Sequence, residues 1–102
     1  MSEIKLHLFN INDSEFNNLF SSCLNDNDKI KTLSSYLKKE YIGEYYLNEF
    51  GKPISSNIKF NISHSGPYIV LVTTNDREIG VDIEVKKDIS GNDRIVICEK
   101  EN

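Results

Sequence analysis

The stretch Phe60–Glu84 reads Phe-Asn-Ile-Ser-His-Ser-Gly-Pro-Tyr-Ile-Val-Leu-Val-Thr-Thr-Asn-Asp-Arg-Glu-Ile-Gly-Val-Asp-Ile-Glu. Its middle segment, Tyr68–Thr73, is apolar on both faces of an extended chain, which predicts a central strand. We expect a short strand before it at Lys59–Ser63, a polar hairpin turn at Thr74–Glu78 and another strand at Ile79–Val85. This succession predicts a small antiparallel sheet.

The last of these strands carries two carboxylates on one face. Side chains alternate along a strand, so Asp82 and Glu84 point to one side and the apolar residues between them to the other. Acidic residues on one strand face are often simply exposed to solvent. Two oxygen ligands on a rigid strand also suit a hard divalent cation such as Mg²⁺, and both interpretations stay open at this point.

A cluster of small polar side chains precedes the central strand. Ser63-His64-Ser65-Gly66 is predicted to form a turn in which two hydroxyls and an imidazole lie close together. Hydroxyls and exposed backbone N–H groups at a corner of the chain make a plausible phosphate site.

The N-terminal half predicts one strand and two helices. Ile4–Ile11 alternates like a strand, with His7 on its outer face. An apolar stripe at helical spacing predicts a short helix, and Cys23 on that stripe is interpreted as a small buried residue. The stripe consists of Phe16, Leu19, Phe20 and Cys23.

A second, longer helix is predicted over Lys29–Tyr46. Asn25-Asp26-Asn27-Asp28 before it is interpreted as a cap rather than a calcium loop, because it lacks the glycine and the glutamate spacing of an EF-hand. The lysines of this helix either face solvent or reach an anionic ligand. The side predicted to be buried carries Ile30, Leu33, Leu37, Tyr41 and Tyr45.

Two further segments have weaker patterns. Phe50-Gly51-Lys52-Pro53 is predicted to be a turn, because glycine and proline interrupt regular structure. Arg94–Cys98 is apolar and β-branched, which is compatible with either a strand or a helix.

Length and composition predict a single α+β domain over residues 1–102, with a small antiparallel sheet packed against two helices. The net charge of −4 argues against a nucleic-acid scaffold. The two cysteines have no metal-ligand spacing, and the first residues do not resemble a signal peptide. The longest apolar run is far too short to span a membrane, so we expect a cytoplasmic protein without membrane association.

Three motifs in this order resemble the Sfp-type 4′-phosphopantetheinyl transferases. They are Gly51-Lys52-Pro53, Phe60–Gly66 and Ile79-Gly-Val-Asp-Ile-Glu84. Thr32–Leu37 also resembles the helix that precedes these motifs in the family, and Arg94–Ile97 lies where the family often has a helix with an arginine and aromatic residues. The resemblance covers about residues 30 to 97.

The resemblance implies transfer of the phosphopantetheine arm of coenzyme A to a serine of an acyl or peptidyl carrier protein, with magnesium as cofactor. It implies that Asp82 and Glu84 are the metal ligands and catalytic positions. It further implies that coenzyme A is held by four residues: His64 at the 3′-phosphate, Ser63 and Ser65 beside it, and Lys52 at the nucleotide end.

The chain departs from the family pattern in two places. It contains no tryptophan, and so it lacks the family's third motif, Trp-x-x-Lys-Glu, whose glutamate completes the metal site. Glu40 stands where the family usually has an arginine. Family members consist of two similar halves. Because the third motif is missing, the chain resembles the N-terminal half alone.

The resemblance to one half leaves three explanations. The chain is a truncated form of a longer enzyme, or a second copy or another chain completes its enzyme site, or it is a non-catalytic module that binds coenzyme A or a carrier protein, or serves in assembly. A half that normally packs against a sister half is expected to expose an apolar patch, which predicts at least a dimer.

Overall fold

The computed structural model describes residues 3–55, 58–75 and 78–101. A 3-10 helix (Ser14–Phe20) and helix α1 (Asp26–Tyr41) follow the first strand, and all other regular elements are strands. The strands are β1 (Lys5–Asn10), β2 (Tyr46–Leu47), β3 (Pro53–Ile54), β4 (Lys59–Ser65), β5 (Tyr68–Thr74), β6 (Ile79–Lys87) and β7 (Asp93–Glu101). The chain is therefore a small α+β fold with antiparallel sheets and two helices, as predicted.

The first sheet has the strand order β1-β5-β4 and is antiparallel throughout. Its central strand is β5, whose residues Ile69, Val70, Leu71 and Val72 are fully buried. A strand that is apolar on both faces requires cover on both faces. The prediction that Tyr68–Thr73 is central is confirmed, and the two faces of β5 define the layers of the molecule.

The helices cover one face of this sheet. Ile69 packs with Leu33 and Leu37 of α1 and with Phe16 and Phe20 of the 3-10 helix in one apolar cluster. Leu71, on the same face, packs with Phe60 and Ile42. The burial of these side chains holds both helices against the sheet.

The antiparallel hairpin β6–β7 covers the other face of the sheet. Val70 and Val72 of β5 pack against Ile79, Val81 and Ile83 of β6. Arg94–Cys98, for which strand and helix were both open, lies within strand β7. It is a strand because it pairs with β6 and contributes Ile95 and Ile97 to the same cluster.

Helix α1 ends earlier than predicted. It stops at Tyr41, and Gly43 follows with a positive φ of 81°. The Gly43 amide donates to the carbonyl groups of Lys38 and Lys39, which closes the last turn. The prediction that the helix continues to Tyr46 with Tyr41 and Tyr45 buried is wrong: Tyr41 is exposed, and Tyr45 is half-buried beyond the helix.

Two predicted turns are also wrong. Ser63, His64 and Ser65 belong to β4, and the turn consists of Gly66 and Pro67. The segment after β5 does not close a hairpin, because β1 and β4 already occupy both edges of β5. Instead this segment leads to β6, which pairs with β7 in a separate sheet. Within the segment, residues 76 and 77 lie outside the described residues.

The faces of β1 are reversed relative to the prediction. His7 pairs with Leu71 and therefore lies on the helix side of the sheet, where its ring is 4.6 Å from that of Tyr41. It is half-buried rather than on an outer face. Leu6 and Leu8, on the opposite side, are 42% and 43% exposed.

The short hairpin β2–β3 contains the predicted turn. Gly51 has a φ of 78°, and the side-chain oxygen of Asn48 accepts hydrogen bonds from the amides of Phe50 and Lys52. No helix in the described part of the chain is long and apolar enough to cross a membrane.

Candidate functional site

Asp82 and Glu84 lie on the outer face of β6. Val81 and Ile83, which alternate with them, are buried against the first sheet, while both carboxylates are exposed. The structure therefore brings Asp82 and Glu84 to one accessible face. The alternation was predictable because the apolar period of two is unbroken from Ile79 to Val85.

The donor set on this face fits a magnesium ion in part. Mg²⁺ is commonly held by one or two carboxylates, with waters and substrate phosphates as its other ligands. Asp82 and Glu84 supply two carboxylates on adjacent same-face positions. Among the described residues, no group of three or more His, Cys, Asp or Glu side chains is placed to hold a metal ion.

Three side chains lie beside the two carboxylates on this face. Lys86, also on β6, places its ammonium 3.8 Å from Glu84, and both side chains are more than half exposed. Such an exposed ion pair is weak, about 0–1 kcal/mol, and does not prevent binding of a cation. Across the hairpin, Asp82 pairs with the exposed Cys98 and Glu84 with Val96.

The Ser-His-Ser segment is divided between the two faces of β4. Ser63 pairs with Val70 and Ser65 with Tyr68, which places both hydroxyls on the side of β6. His64 pairs with Ile69 and is exposed on the side of the helices. The predicted cluster of two hydroxyls and an imidazole is thus not formed, because the segment is extended.

One of these hydroxyls already has a structural partner. Ser65 Oγ accepts a hydrogen bond from the amide of Val85 at 3.2 Å. Asn61 Oδ1, on the same face of β4, accepts from the amide of Val81 at 2.9 Å. These two side chains attach the outer edge of β6 to β4, so Ser65 supports the strand that carries the carboxylates.

Lys52 lies near the first residue of β4, in a group of two lysines and one carboxylate. Its ammonium is 3.9 Å from Glu78, and the ammonium of Lys59 is 3.1 Å from the same carboxylate. All three side chains are about half exposed. Lys59 was not predicted as a candidate residue, although it lies at the predicted start of β4 and seven residues after Lys52.

Lys52 and His64 are not brought together. Lys59, the neighbour of Lys52 through Glu78, is the first residue of β4, and His64 is five residues further along. At about 3.4 Å per residue, these two positions are roughly 17 Å apart. A ligand that touched both would have to extend along β4.

A scan against models of known protein families found no match, and a search of curated proteins found no significant relative. The resemblance to the phosphopantetheinyl transferases therefore rests on the motifs in the sequence.

Proposed function

We propose that the chain is one half of a magnesium-dependent 4′-phosphopantetheinyl transferase of the Sfp type. It would bind coenzyme A and take part in transfer of the phosphopantetheine arm to a carrier-protein serine. The observation that carries the proposal is the exposure of Asp82 and Glu84 on one face of β6, within the motif Gly-Val-Asp-Ile-Glu.

Asp82 and Glu84 would hold the magnesium ion. When bound, it would neutralise charge on the pyrophosphate of coenzyme A, which is the main requirement of phosphoryl-type transfer. The strand fixes both carboxylates, since Val81 and Ile83 are buried and the Val81 amide is bonded to Asn61. Positioning of this kind lowers the cost of assembling the reacting groups.

The remaining proposed contacts lie along β4. Lys52, with Lys59 beside it, offers two ammonium groups against the single carboxylate of Glu78, so one positive charge remains for a phosphate. His64, exposed at the far end of β4, is proposed for the 3′-phosphate. Ser63 faces β6 and the carboxylate-bearing hairpin rather than His64.

A second copy or another chain is proposed to complete the site. Leu6 and Leu8 are exposed on the same face of the first sheet that buries Val72 and Val70 under β6. This part of the sheet face is apolar and open, as expected of a surface that packs against a sister half.

Transfer of labelled coenzyme A to an apo-carrier protein by the isolated chain tests the proposal. We expect magnesium-dependent labelling that is lost in Asp82→Asn and Glu84→Gln but retained in Glu99→Gln, an exposed carboxylate on the neighbouring strand. Absence of labelled product at high chain concentration would refute transfer by this chain alone.

The second candidate is a non-catalytic module that binds coenzyme A or a carrier protein. The separation of Lys52 from His64 spreads the proposed contacts along β4 rather than around one reacting centre, which favours binding without turnover. In that case carrier protein or coenzyme A would bind equally well to Asp82→Ala, Glu84→Ala and the unaltered chain.

A further inference from the structure

A surface cavity of about 440 Å³ opens between β1, the 3-10 helix and the C-terminal end of α1. It lies on the helix side of the first sheet, whereas Asp82 and Glu84 lie on the outer face of β6. Its walls combine four aromatic rings with two carboxylates: Phe9, Phe16, Tyr36, Tyr41, Glu15 and Glu40.

The rings are inclined to one another. The planes of Phe9 and Phe16 meet at 67° with centroids 6.2 Å apart, and those of Phe9 and Tyr41 at 59° with centroids 5.8 Å apart. Inclined rings enclose a space from different directions. The negative π faces of such rings attract cations within about 6 Å of a ring centroid.

The charges around the cavity also favour a positively charged ligand. Glu15 and Glu40 both line it, and neither forms a salt bridge with any residue that the structure describes. The cavity also adjoins the last turn of α1, where the helix dipole places partial negative charge. Rings, carboxylates and dipole therefore all favour a positive ligand and disfavour an anionic one.

In the described part of the chain, the lysines that lie over aromatic rings lie over rings outside the cavity. Lys29 lies 5.7 Å from the ring centroid of Phe20, and Lys38 lies 5.2 Å from that of Tyr45. Neither ring lines the cavity. Within residues 3–55, 58–75 and 78–101, these are the lysines found over rings.

The floor of the cavity is buried in the main apolar cluster and its rim is accessible. Phe16 and Leu37 are 6% and 1% exposed and belong to the main apolar cluster. Tyr36 and Tyr41 are 38% and 44% exposed. The ring of His7 lies 4.6 Å from that of Tyr41, at an angle of 43°, and limits the positions of the Tyr41 ring. A ligand would thus enter between two tyrosines and rest on a buried phenylalanine.

We propose that this cavity is a binding site for an organic cation of the alkylammonium class. The cation is either a free quaternary amine or the methylated ammonium group of a lysine side chain, and the shared chemistry is a positive, weakly hydrated head that fits against aromatic faces. None of the cavity residues is among the proposed coenzyme A or metal positions, and Glu40 stands where the resembled family usually has an arginine.

Titration of the isotopically labelled chain with choline at low salt, followed by amide chemical shifts, tests this proposal. The comparison ligand is the uncharged isostere of choline in which carbon replaces the quaternary nitrogen. We expect saturable shifts confined to Phe9, Phe16 and the segment from Tyr36 to Tyr41, and about tenfold weaker binding of the isostere, since cation–π attraction is lost. A capped peptide carrying trimethyllysine forms the second arm, and the tighter of the two cations identifies the source.

Two variants sharpen the test. Glu40→Gln should weaken choline binding by about threefold to tenfold because a charge facing the cation is removed. Glu44→Gln, an exposed carboxylate outside the cavity, should bind as the unaltered chain does. The same shifts with the neutral isostere, no saturation with either cation, or unchanged affinity of Glu40→Gln in a folded variant would each overturn the proposal.

Discussion

At the scale of single residues, the loop between β6 and β7 is organised by Asp88. Its Oδ1 accepts hydrogen bonds from the Ser90 hydroxyl at 2.7 Å and from the amides of Ser90 and Asn92, each at 2.9 Å. These bonds stabilise the ionised form, so the pKa of Asp88 lies below the ordinary value of 3.8. The Ser90 hydroxyl is the largest cause, followed by the Asn92 amide.

Ser90→Ala should therefore raise the pKa of Asp88 toward its ordinary value. Because the folded pKa is the lower one, the carboxylate favours the folded loop above the ordinary pKa, and this contribution is lost as the pH falls through the folded pKa. Carboxyl chemical shifts measured across acidic pH give the pKa directly. Ser35→Ala, on the exposed side of α1, should leave it unchanged, and a normal pKa for Asp88 in the unaltered chain would contradict this account.

At the scale of elements, the attachment of β6 could be predicted from the sequence only in part. The alternation from Ile79 to Val85 is local, so it correctly predicted which side chains of β6 are buried. The partner of β6 depends on residues distant in sequence. Nothing local showed that both edges of β5 are used, or that Asn61 and Ser65 of β4 bond to the backbone of β6.

Asn61→Ala should loosen the β6–β7 hairpin. It leaves the part-buried amide of Val81 without its acceptor, at a cost of about 1–3 kcal/mol in unfolding free energy. Amide hydrogen exchange should quicken in β6 while the amides of β5, paired on both sides, remain protected.

Asn17→Ala, an exposed asparagine on the 3-10 helix, is the matched control and should change neither measurement. Unaltered exchange of the β6 amides in Asn61→Ala would show that the hydrogen bond does not hold the hairpin.

The predicted ends of helix α1 and of strand β4 were also wrong, and each error has a physical cause. Gly43 supplies a left-handed residue that closes α1 early, although the apolar spacing alone continues to Tyr45. The hydroxyls of Ser63 and Ser65 suggested a turn, but the glycine and proline after them form it. The predicted corner of the chain is not formed, because an extended segment puts His64 and its flanking serines on opposite faces.

At the scale of the whole molecule, the three layers leave an apolar area on β1 open. Helices cover one face of the first sheet and the β6–β7 hairpin covers part of the other, while Leu6 and Leu8 on β1 remain exposed. The α+β class and the central strand followed from hydrophobic patterns. The open apolar area could not be predicted from those patterns, because it depends on where β6 crosses the sheet.

We expect the chain to be at least dimeric at ~100 µM, since an exposed apolar strand face favours association. Leu8→Glu should shift the sedimentation profile toward the monomer, because a charge would be buried at the interface. Leu24→Glu, at an even more exposed leucine outside this face, is the control. A single monomeric species of the unaltered chain at that concentration would count against the proposed completion of the site.

We propose above all that Asp82 and Glu84 hold magnesium against the phosphates of coenzyme A. Calorimetric titration of coenzyme A into the chain, with magnesium and then with a chelator, tests it most directly and does not depend on turnover. We predict at least about tenfold tighter binding with magnesium, and loss of that difference in the double variant Asp82→Asn, Glu84→Gln. Equal affinity with and without magnesium, or a magnesium effect that survives in the double variant, would contradict the claim.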